Sequence, residues 1–240
     1  MKIDLLERRL AAQAAGQTTV LVTDIKTGAQ VLLGEGIALG DLTLGQEERA
    51  AINRAVLDDR SQTIDRPQGA LFVEVWSPPL RLIVVGVVHI AQTLARMAVI
   101  TGYDVTIIDP RSAFASEERF PGVTLATDWP DEVLPTLKPD KRTAIVTLTH
   151  DPKIDDPALQ AALRSDAFYI GALGSRRTHG KRGERLAEAG FDAAAFARIR
   201  GPVGLDIGAL TPGEIAISIL AEITATLRHD RIKGKADKAA

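Results

Sequence analysis

The sequence predicts an α/β protein whose parallel sheet carries helices on both faces, preceded by a small α+β N-terminal module. Three observations lead to this fold class. From Arg81 onward, short apolar runs alternate with helical patterns, which favours a parallel sheet with crossover helices. Residues 81–111 contain one complete strand–turn–helix–strand unit. Residues 1–78 show consecutive strand patterns instead, as expected of a separate module.

The N-terminal module is predicted from helical and strand-like apolar patterns. Strands are expected at residues 18–23, 30–33 and 71–76, and helices at residues 4–15 and 46–57. A turn at residues 26–28 predicts a hairpin between the first two strands. Ser77-Pro78-Pro79 ends the module, because proline fixes φ and cannot donate to a sheet. The predicted domains are therefore 1–78 and 79–230, followed by a flexible basic tail at 231–240.

The second domain is predicted to open with a Rossmann-like βαβ unit. Leu82–Val85 is a short apolar run rich in β-branched residues, typical of a parallel strand that is buried on both faces. Ala91–Ile100 has helical spacing, and Asp104–Ile108 is a second buried strand. This order of elements is the beginning of a nucleotide-binding type of domain.

The remaining elements continue the alternation and end in a well-specified helix. Strands are expected at residues 123–125, at 143–148 and from 168, and helices at 131–137, 157–164, 176–189 and 193–198. Thr211 and Glu214 form a capping box with Pro212 at the first helical position, which predicts where the last helix begins. An apolar stripe then runs from Ile215 to Leu227.

Composition narrows the class of function. The chain has 240 residues, of which 45% are hydrophobic and 25% charged, as in ordinary globular domains. The net charge of -2 gives no reason to expect nucleic acid or an anionic membrane as a partner. The absence of cysteine excludes disulfides, thiolate metal sites and a cysteine nucleophile. Without a membrane-spanning apolar run or a signal-peptide pattern, a cytoplasmic location is expected.

The turn after the first strand of the βαβ unit matches a dinucleotide fingerprint only in part. In the pattern G-x-G-x-x-G/A, Gly86 fills the first position and Ala91 the third, but Val88 stands at the middle position. A valine there obstructs the close approach of a pyrophosphate. Asp109 has the spacing of a ribose-binding acid. An NAD(P)-dependent oxidoreductase therefore remains an alternative, but ordinary NAD(P) binding is not favoured.

Candidate cofactor-binding residues follow the carboxyl ends of four predicted strands, where ligands bind in open parallel sheets. These residues are Gly86, Val88, His89, Asp109, Arg111, Thr149, His150, Asp151, Gly171, Gly174, Ser175, Arg176 and Arg177. Asp206 joins them because it is the one polar residue in the glycine-rich apolar segment 201–209.

Of these four strand ends, the one at residues 171–177 offers the clearest physical reason to bind a ligand. A glycine-rich loop at residues 171–174 opens a helix, so that free N–H groups and the positive end of the helix dipole meet there. Ser175 is expected either to cap that helix or to donate to an oxyanion. Arg176 and Arg177 add forked donors suited to phosphate, and residues 181–182 extend the positive face. The alternative is an ordinary solvated basic face.

Other kinds of site receive less support from the sequence. His89 and His150 each follow a predicted strand, but a lone histidine is as readily a hydrogen-bonded structural residue as a ligand. His150 and Asp151 lack the spacing of a metal pair, and no third ligand is evident, so no metal site is predicted. Asp151 also has a simpler explanation as an acid at a helix N-terminus. No serine lies in a G-x-S-x-G elbow, and no catalytic residue is predicted.

Several long blocks of the sequence resemble the XdhC/CoxI family of accessory proteins for molybdenum hydroxylases. The blocks are IDPRSAFASEERFP, TLTHDPKIDDPAL, FYIGALGSRRTHGKR and RIRGPVGLDIGALTPGEIAISILAEI. The resemblance runs from about Phe72 to Leu227. Two departures stand out. The family's glycine-glycine-cysteine motif is absent, which excludes a thiolate contact to molybdenum, and its G-x-G-H turn is here Gly86-Val87-Val88-His89.

The resemblance implies a molybdenum cofactor chaperone rather than a turnover enzyme. Such a protein binds molybdopterin, or its dinucleotide form, transiently and passes it to an apo-enzyme. The implied recipient is the large subunit of a xanthine dehydrogenase, aldehyde oxidoreductase or carbon monoxide dehydrogenase. The family also implies a homodimer, with a cysteine desulfurase or a cofactor-synthesis protein as a further partner. An assembly factor that acts through protein contacts alone is a second alternative.

Overall fold

The computed structural model describes residues 2–111 and 118–229. Within it the chain divides into two compact units, with the division between Pro78 and Pro79. The irregular stretch Pro110–Pro121 is described only in part, and the predicted tail at residues 231–240 lies outside the described residues. Each unit has its own sheet and its own apolar core.

The first unit is a five-stranded antiparallel sheet with a helix on each face. Its elements are α1 (Ile3–Ala14), β1 (Thr19–Asp24), β2 (Gln30–Gly34), β3 (Ile37–Gly40), α2 (Gln46–Leu57), β4 (Gln62–Ile64) and β5 (Leu71–Trp76). The strand order is β3-β2-β1-β5-β4. Leu5 of α1 packs on one face of the sheet, and Ile52 of α2 packs on the other. The predicted hairpin is confirmed as the antiparallel pair β1–β2.

The second unit is a six-stranded parallel sheet. Its elements are β6 (Leu80–Val85), α3 (His89–Ile100), β7 (Tyr103–Ile108), β8 (Thr124–Ala126), α4 (Pro130–Leu137), β9 (Thr143–Thr147), α5 (Pro152–Leu163), β10 (Tyr169–Ala172), α6 (Arg176–Glu188), α7 (Ala193–Phe196), β11 (Ile199–Arg200) and α8 (Pro212–Leu227). The strand order is β11-β10-β9-β6-β7-β8. This is the doubly wound order of a Rossmann domain.

Helices cover both faces of the parallel sheet, as the sequence predicts. Helices α3 and α8 pack against one face, with Leu94 and Ile219 fully buried there. Helices α4 to α7 cover the other face, where Leu134, Leu159 and Leu186 are buried. The α/β fold class with a preceding antiparallel module is therefore confirmed. The capping box that starts α8 is present, with Thr211 Oγ1 accepting the N–H of Glu214.

Two of the element bounds that differ from the sequence prediction adjoin candidate site residues. Helix α5 begins at Pro152 rather than Pro157, because Asp151 caps it and accepts the N–H of Lys153. Proline suits the first helical position, and this position belongs to Pro152. Strand β10 includes Gly171, which was predicted to lie in a loop. A Cβ on Gly171 would lie 2.5 Å from Cγ2 of Val203, so close packing explains the glycine.

Candidate functional site

The strand order places a topological switch point between β6 and β9. From β6 the chain goes first to β7 on one side, and later returns to β9 on the other. In open parallel sheets the crevice at this point, outside the carboxyl ends of the strands, is the usual ligand site. The residues that follow β6, β7, β9 and β10 all lie along this edge.

The turn after β6 packs tightly against the end of β9. Gly86 has a φ of +114°, and a Cβ there would lie 2.7 Å from Cγ2 of Thr149. Val88 is the N-cap of α3, and its half-buried side chain packs on the apolar core. His89 is the exposed first residue of that helix. The middle position of the dinucleotide pattern is thus occupied by a valine side chain that packs against the core.

Asp109 follows β7 and turns its carboxylate inward. Its Oδ2 accepts the N–H of Val87 at 2.7 Å and Nη2 of Arg111 at 2.8 Å. Its Oδ1 accepts the backbone N–H and Nε of Arg111, each at 2.9 Å. Burial alone would raise the pKa of Asp109, but these hydrogen bonds outweigh it and lower the pKa. A carboxylate has about four acceptor positions, so Asp109 has none left for a ribose hydroxyl.

The segment after β9 is used to start α5. The Thr149 hydroxyl donates to Oδ1 of Asp155 at 2.7 Å and accepts the N–H of Asp151 at 3.0 Å. His150 adopts a φ of +61° and is exposed, and Asp151 is the N-cap. Asp155 is buried, and burial raises its pKa. We call Gly86, Asp109, Arg111, Thr149 and Asp155 the switch-point cluster.

The loop after β10 has a different character. Gly174 has a φ of +142°, and helix α6 begins two residues later. Ser175 caps this helix, because its Oγ accepts the N–H of Thr178 at 3.1 Å. Of the two roles predicted for Ser175, the structure therefore shows the cap. Arg176 and Arg177 are both exposed in the first turn, where the helix dipole favours an anion.

A cavity of about 410 Å³ lies between this loop and the start of α8. We call it the loop pocket; it is lined by Leu173, Arg176, Ile215, Ser218 and residues 202–209. Its volume is within the range of small-molecule sites. Of the predicted site residues, Arg176 and Asp206 line this pocket. Gly174 and Ser175 directly precede Arg176 in the chain.

The segment that forms one wall of the loop pocket is firmly held. Gly204 has a φ of +96°, and a Cβ there would overlap Oγ of Ser218. The Gly204 N–H donates to Oε2 of Glu222 at 2.8 Å, and the Tyr169 hydroxyl donates to the same oxygen at 2.5 Å. Sequence reasoning missed Glu222. Its signal was a lone acid in the middle of the apolar sequence of α8.

Six of the predicted site residues fall into two groups. Gly86, Asp109, Arg111 and Thr149 belong to the switch-point cluster, whose polar groups bond mostly to one another. Arg176 and Asp206 belong to the loop pocket. Gly171 lies within β10. Arg182, which was predicted to extend the exposed positive face, is instead buried with 2% of its surface exposed.

Two negative findings apply to the described part of the chain. No helix there is long and apolar enough to cross a lipid bilayer. No three histidine, aspartate or glutamate side chains in residues 2–111 and 118–229 are grouped so that they could hold a metal ion.

Comparisons with known proteins identify the domain. The chain is 36% identical over 152 residues to the molybdenum cofactor insertion chaperone PaoD of Escherichia coli, a match that covers 63% of this chain and 42% of PaoD. It is 33% identical over 160 residues to a probable xanthine dehydrogenase subunit of Bacillus subtilis, covering 66% of this chain and 46% of that protein. The chain spans less than half the length of these two relatives.

A solved structure and a family model agree with these relatives. The structure, described as a xanthine dehydrogenase from Bacillus halodurans, matches with a TM-score of 0.68 and 24% identity, covering 94% of this chain and 64% of that one. At this identity it supports the fold alone. The model of the XdhC Rossmann domain matches residues 82–223, more than half of the chain. The chain therefore belongs to the XdhC family, and residues 82–223 are its Rossmann domain.

Proposed function

We propose that this chain is an accessory protein for the maturation of a molybdenum hydroxylase of the xanthine dehydrogenase, aldehyde oxidoreductase or carbon monoxide dehydrogenase type. In this proposal it binds the molybdenum cofactor, as molybdopterin or its dinucleotide form, and delivers it to the apo-enzyme. The observation that carries the proposal is the loop pocket, where an apolar wall, Arg176 and the N-terminus of α6 meet in an XdhC domain.

The residues of the loop pocket fit the organic part of this cofactor. A phosphate group needs cationic and N–H donors, and Arg176 and the first turn of α6 offer both. A pterin ring is flat and carries N–H donors at one edge, and Leu173 and the carboxylate of Asp206 supply suitable partners. The chain has no cysteine to bind the metal. The cofactor itself supplies the redox-active molybdenum to the enzyme that receives it.

The roles of the chain's own residues follow from this fit. Arg176 holds the phosphate, Asp206 orients the ring edge, and the anchored segment 202–209 keeps the wall in place. Leu205 and Ile207, which are 41% and 56% exposed, lie at the same pocket and suit contact with the recipient enzyme during transfer. The proposal requires no covalent step on this chain, so the proposed role is that of a chaperone and not that of an enzyme.

An NAD(P)-dependent oxidoreductase is the weaker alternative. The side chain of Val88 occupies the middle position of the βα turn, and the Val87 N–H is already bonded to Asp109. We include a homodimer, a cytoplasmic location and a sulfur-donating or cofactor-synthesis partner in the proposal only as family expectations. Sedimentation of the purified chain tests the dimer.

Direct binding tests the proposed function. The purified chain is titrated anaerobically with molybdenum cofactor released from a donor molybdoenzyme, beside the Arg176→Ala, Arg177→Ala double variant. We expect one cofactor per chain and at least a tenfold loss of affinity in the double variant, since hydrogen bonds to charged groups contribute about 1.5–3 kcal/mol each. Lys181→Ala, on the exposed side of the same helix, is the matched control and should bind as the wild type does. Unchanged affinity in the double variant would remove Arg176 from the site.

A further inference from the structure

Arg182 is a charged residue in the interior of the second unit. It lies on α6, where it and Leu186 are the buried residues. Its Nη2 donates to the carbonyl oxygen of Leu173 at 3.0 Å. Its Nε and Nη1 are also buried, and neither has a hydrogen-bond partner among the described residues. Buried donors are normally satisfied, so this guanidinium is exceptional.

The two acids that attract Arg182 do not form an ion pair with its guanidinium. Burial lowers the pKa of Arg182. The attraction of Asp155 and Asp156 acts in the opposite direction but is smaller. Asp156, however, pairs with Arg185 at 2.5 and 2.9 Å. Oδ1 of Asp155 is hydrogen-bonded to Thr149. No acid in the described residues forms an ion pair with Arg182. A buried charge in this state is costly unless something else pairs with it.

The position of Arg182 links it to the loop pocket. Its partner Leu173 lines that pocket and stands two residues before Ser175, the N-cap of α6. The guanidinium, whose Nη2 bonds to the Leu173 carbonyl oxygen, therefore lies near the N-terminal end of α6. Backbone N–H groups and the positive end of the helix dipole meet at this same end. Three kinds of donor are thus placed around the loop that precedes α6: the helix start, the exposed Arg176 and the buried Arg182.

We propose that Arg182 is the buried anchor of this site, where its Nε and Nη1 bind a phosphate or pyrophosphate oxygen of the ligand. The inference rests on the proposed function and deepens it, because it assigns the phosphate group to a defined place. Arg176 holds the phosphate from the solvent side, and Arg182 holds it from within. Both nitrogens are buried in the free chain, so this binding requires the loop at Leu173 and Gly174 to open.

The test uses inorganic pyrophosphate as the probe, with the full chain and calorimetric titration. Arg182→Met removes the charge and the donors but keeps an extended apolar side chain. Replacing a buried unpaired charge with an apolar group is often neutral or stabilising. We therefore expect pyrophosphate affinity to fall at least tenfold while Tm stays the same or rises. Arg185→Met, one turn along the same helix and paired with Asp156, should keep the wild-type affinity.

The outcomes separate the anchor from a purely structural role. If Arg182 only holds the Leu173 loop, Arg182→Met will lower Tm and affinity together, and the inference is overturned. It is also overturned if affinity is unchanged, or if the wild type binds no pyrophosphate. Molybdenum cofactor that binds equally well to wild type and Arg182→Met would leave the proposed function intact and remove the anchor. Arg182-dependent pyrophosphate binding without cofactor binding would support the anchor and contradict the proposed function.

Discussion

The switch-point cluster and the loop pocket lie at the carboxyl edge of the same sheet, yet they use their polar groups in opposite ways. In the cluster, Asp109 gives all four of its acceptor positions to Val87 and Arg111. Arg176, which lines the loop pocket, is exposed, and two nitrogens of Arg182 on the same helix have no partner among the described residues. The first region is arranged to hold strands together, and the second has donors to offer a ligand.

This difference is the reason why we propose a binding site at α6 and not at the turn after β6. In dinucleotide-binding domains the phosphate lies on the helix that follows the first strand. Here that turn is closed by Val88 and by the bond between Val87 and Asp109. The next available helix start with a glycine turn and arginines is that of α6. A Rossmann topology therefore indicates where sites can form, and the side chains decide which one is used.

The largest effect is expected at the centre of the switch-point cluster. Gly86→Ala forces a positive φ on an alanine and sets its Cβ 2.7 Å from Thr149 Cγ2. Strain and overlap together should lower the free energy of unfolding by about 3 kcal/mol. Urea denaturation measures this decrease in the free energy of unfolding. Gly102→Ala is the matched control, because its φ is +87° but the surrounding space is open. It should cost about 1 kcal/mol.

A second substitution isolates the overlap. Thr149→Ser removes Cγ2 but keeps the hydroxyl that bonds Asp155. In the Gly86→Ala background it should recover about 1 kcal/mol through coupling between the two sites. A double-mutant cycle in urea gives the coupling energy. If the two substitutions changed the free energy of unfolding additively, Gly86 would not be in close contact with Thr149.

Asp109→Asn is expected to have the next largest effect. It weakens the charge-assisted bonds to Val87 and Arg111 and should cost about 2 kcal/mol at neutral pH. Because the folded-state pKa of Asp109 lies below its ordinary value of 3.8, this stabilisation is present above that value and is lost as the pH falls through the folded-state pKa. The stability difference between wild type and variant should therefore shrink below about pH 4. A difference that is independent of pH would contradict the ion pair.

The two arginines at the start of α6 provide a smaller and more specific contrast. Arg176 lines the loop pocket, whereas Arg177 is exposed and does not. Arg176→Ala should weaken cofactor binding about tenfold, and Arg177→Ala by less than about twofold. Equilibrium titration of both single variants measures this. Equal losses would indicate a diffuse basic face in place of a defined pocket.

Sequence reasoning predicted the long elements and, of the four edge strands, only β8, which it placed at residues 123–125. Helix α2 and strand β5 have the predicted bounds, because their apolar spacing is set by one buried face. Strands β3, β4 and β11 were missed. They have four, three and two residues and lie at sheet edges. Runs of two to four residues are too short to show the alternation of apolar and polar side chains that identifies a strand. In addition, their pairing depends on a partner strand that is distant in sequence or was not predicted.

The candidate site was predicted as a set of strand ends but not as two regions. Asp109 and Arg176 both follow carboxyl ends of parallel strands, where ligands usually bind in such sheets, and a binding role for Arg176 stays a prediction. Spacing could not reveal that Asp109 turns inward, because that depends on Arg111 folding back onto it. Nor could it separate the exposed Lys181 from the buried Arg182. That distinction depends on which face of α6 packs against the sheet.

A competition between two ligands tests the proposed phosphate site at α6 most directly. Molybdenum cofactor and NADH are titrated anaerobically, singly and in mixture, against the wild type and Arg176→Ala, and bound ligand is measured after rapid filtration. We expect cofactor to bind the wild type with one site per chain, Arg176→Ala to bind it about tenfold more weakly, and NADH not to compete. Cofactor that fails to bind, or NADH that binds and displaces it, would contradict a phosphate site at α6.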